Sequence, residues 1–129
     1  METRQAPRAD ISLNVVAEID EDSRQRFAIA AGNRFAVSIV DISTVGLGII
    51  SKYFLPKGLF LEFEIGGVPF GLSENMKIKG EIRYSRYVRS STYRCGVKFL
   101  NISDKYRNAI AGFVSTYERR KSPRIELSQ

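Results

Sequence analysis

The chain has no histidine and a single cysteine, Cys95. Without histidine, the usual general base near neutral pH, the commonest metal ligand and any Ser/His/Asp triad are excluded together. A lone cysteine excludes an intramolecular disulfide and any multi-cysteine metal site. Cys95 lies inside the alternating run YRCGVKFL and reads as a small buried strand residue. No apolar run approaches the ~18 residues that a membrane span needs. The first ten residues, METRQAPRAD, contain no apolar stretch of the kind a secretory signal carries. These absences point to the cytoplasm, with neither metal nor cofactor expected. Carboxylate or lysine chemistry is left, but no spacing of those residues points to it, so the chain reads as a binding protein and not an enzyme.

What is present suits one domain with a real core: 129 residues, 43% hydrophobic and 26% charged. The formal net charge is +6 and the pI near 9.7, which favours anionic partners: nucleic acid, nucleotides, phospholipid or an acidic protein surface.

Most of the chain alternates as half-buried strands do. Residues 11–19 place Ile11, Leu13, Val15, Ala17 and Ile19 on one face. A polar loop, DEDSRQR, follows. FAIAAGNRFAVSIVDIS reads as two strands about a Gly32-Asn33 turn, or one long strand bulged there, with Phe35, Val37 and Ile39 on the apolar face. TVGLGIIS is a short strand, LPKGLF a turn through Pro56 and Gly58, and LFLEFEI a strand with Leu61, Phe63 and Ile65 inward. GGVPFGLSEN is a turn-rich loop. MKIKGEIRY predicts Met76, Ile78, Ile82 and Tyr84 inward; SRYVRSST is a polar connection, and YRCGVKFL alternates again. The period then changes. After a candidate N-cap, Ser103, the residues Tyr106, Ala109, Ile110, Phe113, Val114 and Tyr117 fall at helical spacing, and Pro123 ends the helix. The expected fold is mainly β: six or seven antiparallel strands in a closed or nearly closed barrel, with one C-terminal helix on its mouth or flank.

Two short patterns are not explained by the core. TRQAPRAD holds Arg4 and Arg8 four positions apart. With thirteen arginines in the chain, such a pair means little alone. DISTVGLG, residues 41–48, is more specific: composition gives roughly 0.04 chance occurrences of its Asp-x-Ser-x-x-Gly core. In an extended chain Asp41 and Ser43 would point to the same side, and Gly46 and Gly48 would let the backbone turn or a ligand come close.

An RxxxR pair followed by DxSxxG, in a barrel-then-helix pattern spanning nearly the whole chain, resembles the PilZ domain family. The resemblance implies a six-stranded antiparallel barrel that binds the bacterial second messenger cyclic di-GMP. It further implies Arg4 and Arg8 as base and phosphate binders, Asp41 and Ser43 as guanine contacts, and Gly46 and Gly48 as shapers of the surface. The chemistry agrees. Arginine's planar fork donates twice to guanine O6 and N7, stacks on a base or pairs with phosphate. A carboxylate accepts from guanine's N–H edge, and a serine hydroxyl donates or accepts. Residues 1–10 are then expected to be a flexible arm ordered by ligand, 11–120 the barrel with its helix, and 121–129 a tail.

Thr3 stands where the family's residue before the first arginine bears on ligand stoichiometry. In the tail, Arg120 and Arg124 repeat the four-residue spacing around Pro123. They read as cations favoured at a helix C-terminus, as an extra pair reaching a neighbour's ligand, or as the start of a second such domain. A downstream protein partner is expected, and a homo-oligomer stays open. Two other readings stay open beside the receptor. One is a PilZ-type adaptor that binds proteins without ligand. It ranks lower, because such adaptors usually lack the two motifs. The other is a single-strand nucleic-acid binder using the arginines and tyrosines of RYSRYVRSSTYR.

Overall fold

A computed structural model of the chain describes residues 6–29 and 32–121. Six strands run β1 (Ala9–Ile19), β2 (Arg34–Ile42), β3 (Gly46–Ser51), β4 (Phe60–Ile65), β5 (Met76–Arg89) and β6 (Thr92–Leu100). They close in the order β1-β2-β3-β6-β5-β4, every neighbour antiparallel, into the expected six-stranded barrel. Closure leaves the short strands few unpaired edges and gives their inward rows one shared core. Val15, Ala17 and Ile19 meet Phe35, Val37, Ile39, Leu47, Ile49, Leu61, Phe63, Ile65, Met76, Ile78, Ile82, Val97 and Phe99 there.

The C-terminal helix, α2 (Asp104–Lys121), closes the mouth where β1 begins. Ser103 is its N-cap as expected: the Tyr106 N–H donates to Ser103 Oγ at 3.2 Å. Ile110 and Val114 insert into the core, and Phe113 packs on Phe70 with ring centroids 5.0 Å apart. Phe70 is brought there by a single 3-10 turn, Val68–Phe70, within the turn-rich segment.

Four local expectations need correction. The segment DEDSRQR is not a loop. It forms a short helix, α1 (Glu21–Arg26), with Asp20 as N-cap, acids in its first turn and arginines in its last. Its buried Ser23 accepts from the Phe60 N–H at 2.9 Å and ties the helix to β4. Second, residues 27–29 are irregular and not strand, and β2 starts at Arg34. Third, SRYVRSST is no polar connection. β5 and β6 run through it to a two-residue turn at Ser90 and Ser91, both left-handed (φ 50° and 58°). Fourth, Tyr84 does not face the core. The register slips between Ile82 and Tyr84, which reverses the alternation and leaves Tyr84 exposed.

Cys95 is buried as expected, 3.3 Å from Ser85 Oγ. Burial pushes its thiol pKa up, outweighing the opposing effects of the Ser85 hydroxyl and the Arg94 charge. A thiol both hidden and protonated reacts only when the barrel opens. Disulfide-exchange labelling of the folded chain at pH 8 is expected to run more than about 100-fold slower than in guanidinium. Equal rates would mean that β6 is not part of a closed core.

Candidate functional site

The site is built by one irregularity in β2. Ile39 pairs with Ile49 of β3, yet Asp41, two residues on, pairs with the adjacent Gly48. The alternation therefore slips at Val40. Ile39 and Ile42 both point inward and are fully buried, while Asp41 turns to the outer face. Across the barrel surface the strand pairings then set one row: Asp10 beside Asp41, Asp41 beside Gly48, Gly48 beside Gly96, and Gly96 beside Tyr84.

This row is a platform with a glycine floor. Above Gly48 lies an ion pair, Arg94 Nη2 to Asp41 Oδ2 at 2.7 Å. A Cβ on Gly48 would fall 2.7 Å from both partners. Above Gly96 lies the Tyr84 ring, whose Cε2 would meet an added Cβ at 2.2 Å. Arg86 stacks over that ring, 5.7 Å from its centroid. Arg8 approaches Asp41 from the other side, Nε to Oδ1 at 3.6 Å. It is placed there because Ala9 is fully buried as the first residue of β1, and because Pro7 lines a cleft of about 370 Å³ with Thr44, Val114 and Arg119. Among the described residues, Arg8 Nη1 and Asp41 Oδ1 are both shielded from solvent without a hydrogen-bond partner. Polar groups in that state are costly unless paired.

The electrostatics hold the row together. Two neighbouring carboxylates, Asp10 and Asp41, would repel. Asp41 is offset by Arg8 and Arg94, and Asp10 accepts from the Tyr117 hydroxyl of α2 at 2.9 Å. That bond to Asp10 raises the Tyr117 pKa, so its proton stays in place. Burial works against the Arg94 charge, but the hydrogen bonds and charges of Asp41 and then Tyr84 outweigh it and leave its pKa above the ordinary arginine value.

The sequence-predicted residues separate into groups. Arg8, Asp41 and Gly48 converge on the platform. Ser43 does not share the exposed side of Asp41. It is fully buried in the β2–β3 turn, where its Oγ accepts from the N–H groups of Val45 (3.1 Å) and Gly46 (3.2 Å). Gly46 is also not floor: a Cβ there would lie 2.1 Å from the Val97 carbonyl oxygen, so it permits β3 to approach β6. Arg120 is exposed on α2 and lines a cleft of about 520 Å³ with Pro69, Phe70 and Tyr117. Thr3, Arg4 and Arg124 lie outside the described residues. Arg94, Tyr84, Asp10 and Tyr117 were not singled out for this site. Arg94 alone had a usable signal, as the outward residue next to buried Cys95, but its proximity to Asp41 needs the β3–β6 register.

Among the described residues no cluster of metal-ligating side chains occurs, and no helix is long and apolar enough to cross a membrane. The PilZ domain family matches residues 2–116 of the chain. The chain belongs to the PilZ domain family. Its fold is similar to the PilZ domain, with c-di-GMP, of YcgR from Escherichia coli: TM-score 0.60, 16% identity, 97% of this chain and 98% of that one. It is similar also to the Bacillus subtilis inhibitor of motility MotI/DgrA (TM-score 0.66, 15% identity, 95% of this chain and 54% of that one). An uncharacterized protein of Aquifex aeolicus is 40% identical over 80 residues, 60% of this PilZ chain and 36% of that protein. The chain thus spans about a third of that relative and about half of MotI.

The two site glycines have different neighbours and so different tolerances. Gly46→Ala meets backbone and is expected to cost about 2–3 kcal/mol in urea unfolding; Gly48→Ala meets the ends of flexible side chains and should cost under about 1 kcal/mol. The reverse order would mean that the Asp41–Arg94 pair is the more rigid neighbour.

Proposed function

We propose that this PilZ domain is a cyclic di-GMP receptor and that it binds the ligand on the Asp41 platform. One observation carries the reading: an outward carboxylate on a glycine floor, flanked by Arg8 and Arg94, with unsatisfied polar atoms on Arg8 and Asp41. Guanine has an N–H edge for the Asp41 carboxylate and O6 and N7 for an arginine fork. The phosphates of the same ligand suit the remaining guanidinium donors. Tyr84 offers a flat ring at the end of the row against which a base can stack. Ser43 acts indirectly, by fixing the turn that follows Asp41.

Arg94 already occupies Asp41 Oδ2, so a guanine must share that carboxylate or displace the guanidinium. Either way the ligand rearranges a paired charge rather than an empty surface, which gives binding a conformational consequence. In this reading Arg4 joins Arg8 as the second member of the arginine pair, and the segment ahead of β1, which starts at Ala9, closes over the ligand. Ordering of that arm alters the surface a downstream protein meets. The domain acts by binding and not by catalysis.

Calorimetric titration with cyclic di-GMP, with GTP as control, tests the receptor. Selective binding is expected. Arg8→Ala should weaken it at least tenfold, about 1.4 kcal/mol, and Asp41→Ala by a similar amount. No heat with the cyclic dinucleotide would remove the receptor reading and leave a ligand-independent adaptor. Slower proteolysis ahead of β1 on adding ligand is expected from arm closure; unchanged cutting would overturn it.

A further inference from the structure

β5 is longer than the wall it belongs to. β4 pairs with it only from Met76 to Glu81. The turn before β4 adds two hydrogen bonds: the Ile82 N–H donates to the Leu59 carbonyl at 2.9 Å, and the Gly58 N–H to the Ile82 carbonyl at 2.8 Å. From residue 83 to residue 89, β6 is the only strand beside it. Among the described residues nothing pairs with the main chain on the other side. Among the described residues, a seven-residue stretch of strand edge, 83–89, has no neighbour on that side.

The side chains on and around this edge are not those of an inert surface. Three arginines, Arg83, Arg86 and Arg89, lie along it. Only Arg83 reaches a carboxylate among the described residues, Glu81 at 3.9 Å. On the opposite face of the hairpin an aromatic row stands half in water: Tyr87 against Tyr93 (centroids 5.5 Å) and Tyr93 against Phe54 (5.7 Å), with Tyr87 60% and Phe54 55% exposed. The edge thus offers main-chain hydrogen-bonding groups, positive charge and apolar contact together.

We propose that residues 83–89 of β5 receive an extended acidic segment of a partner polypeptide as an added strand. Strand addition replaces water along the whole row of N–H and C=O groups at once, because another peptide backbone presents complementary groups at the ~4.8 Å strand spacing. A nucleic-acid strand suits the arginines and tyrosines but leaves that row unpaired. A second copy of this chain would set arginine edge against arginine edge, and like charges on facing strands disfavour that pairing. A segment alternating acidic and apolar residues fits both faces: its acids meet the arginine side and its apolar residues the Phe54–Tyr93–Tyr87 row. The inference stands independently of the ligand proposed for the Asp41 platform.

The test uses the full chain and a nine-residue end-capped peptide alternating Glu and Val. Two further versions carry N-methyl groups on alternate peptide nitrogens, one in each phase, with charge unchanged. Binding is read by fluorescence anisotropy, and main-chain protection by amide hydrogen exchange. The parent peptide is expected to bind and to slow exchange at those amides of residues 83–89 that point away from β6. One methylated version should bind at least tenfold more weakly, and so should the parent peptide with the Arg83→Glu/Arg89→Glu variant, whose exchange pattern elsewhere in the barrel is retained. Absence of peptide binding, exchange unchanged at residues 83–89, equal binding of both methylated peptides, or tighter binding of nine-nucleotide oligothymidylate would each overturn the proposal. The methylated peptides test unmodified protein, so the result does not depend on how the variant folds.

Discussion

Everything at the platform depends on the slip at Val40. With strict alternation, a strand that buries Phe35, Val37 and Ile39 would bury Asp41 as well, and an uncompensated carboxylate in that core would cost several kcal/mol. The slip turns Asp41 out and returns Ile42 to the interior, so core and site are served by consecutive residues. A second slip, after Ile82, does the same for Tyr84 at the far end of the row. Two local defects in the ladders thereby aim an acid and an aromatic ring at one patch of surface. The flat ground between them exists because β3 and β6 each place a glycine there, Gly48 opposite Gly96.

The same two slips mark where sequence reading succeeds and where it fails. Alternation is a strong signal while its phase holds. The inward faces of β1, β4 and most of β2 were legible, as was the helical spacing that puts Ile110 and Val114 into the core. A slip changes phase without changing composition, so Tyr84 read as inward and Asp41 and Ser43 read as companions on one side. Short elements failed for a different reason. α1 is six residues long with almost nothing buried, so its signature lies in its caps and charges and not in an apolar period. The β5–β6 turn uses two serines in left-handed backbone, where Asn-Gly would have announced a hairpin. At the site, residue type was legible but not adjacency: Arg94 is 53 positions from Asp41, and only the strand order of the barrel brings them together.

The charge arrangement is also informative. The chain is basic overall, yet the centre of its platform is an acid held between arginines. In the proposed reading, such a centre would select its ligand by complementarity and not by net attraction. An anion lacking hydrogen-bond donors would meet Asp41 as a repulsive neighbour, whereas a ligand bearing both donors and phosphates satisfies each member of the cluster.

The bond from Tyr117 to Asp10 spans 107 positions of sequence and joins the last helix to the first strand. Both elements meet at one mouth of the barrel, with Pro7 lying against the same helix. The first strand and the last helix of the described residues are therefore latched to each other through side chains, and not only through the intervening sheet. That hydroxyl–carboxylate contact adds to the burial of Ile110 and Val114 in the core that β1 shares. The contact works as a clasp: β1 and α2, remote in sequence, must both be in place for it to form.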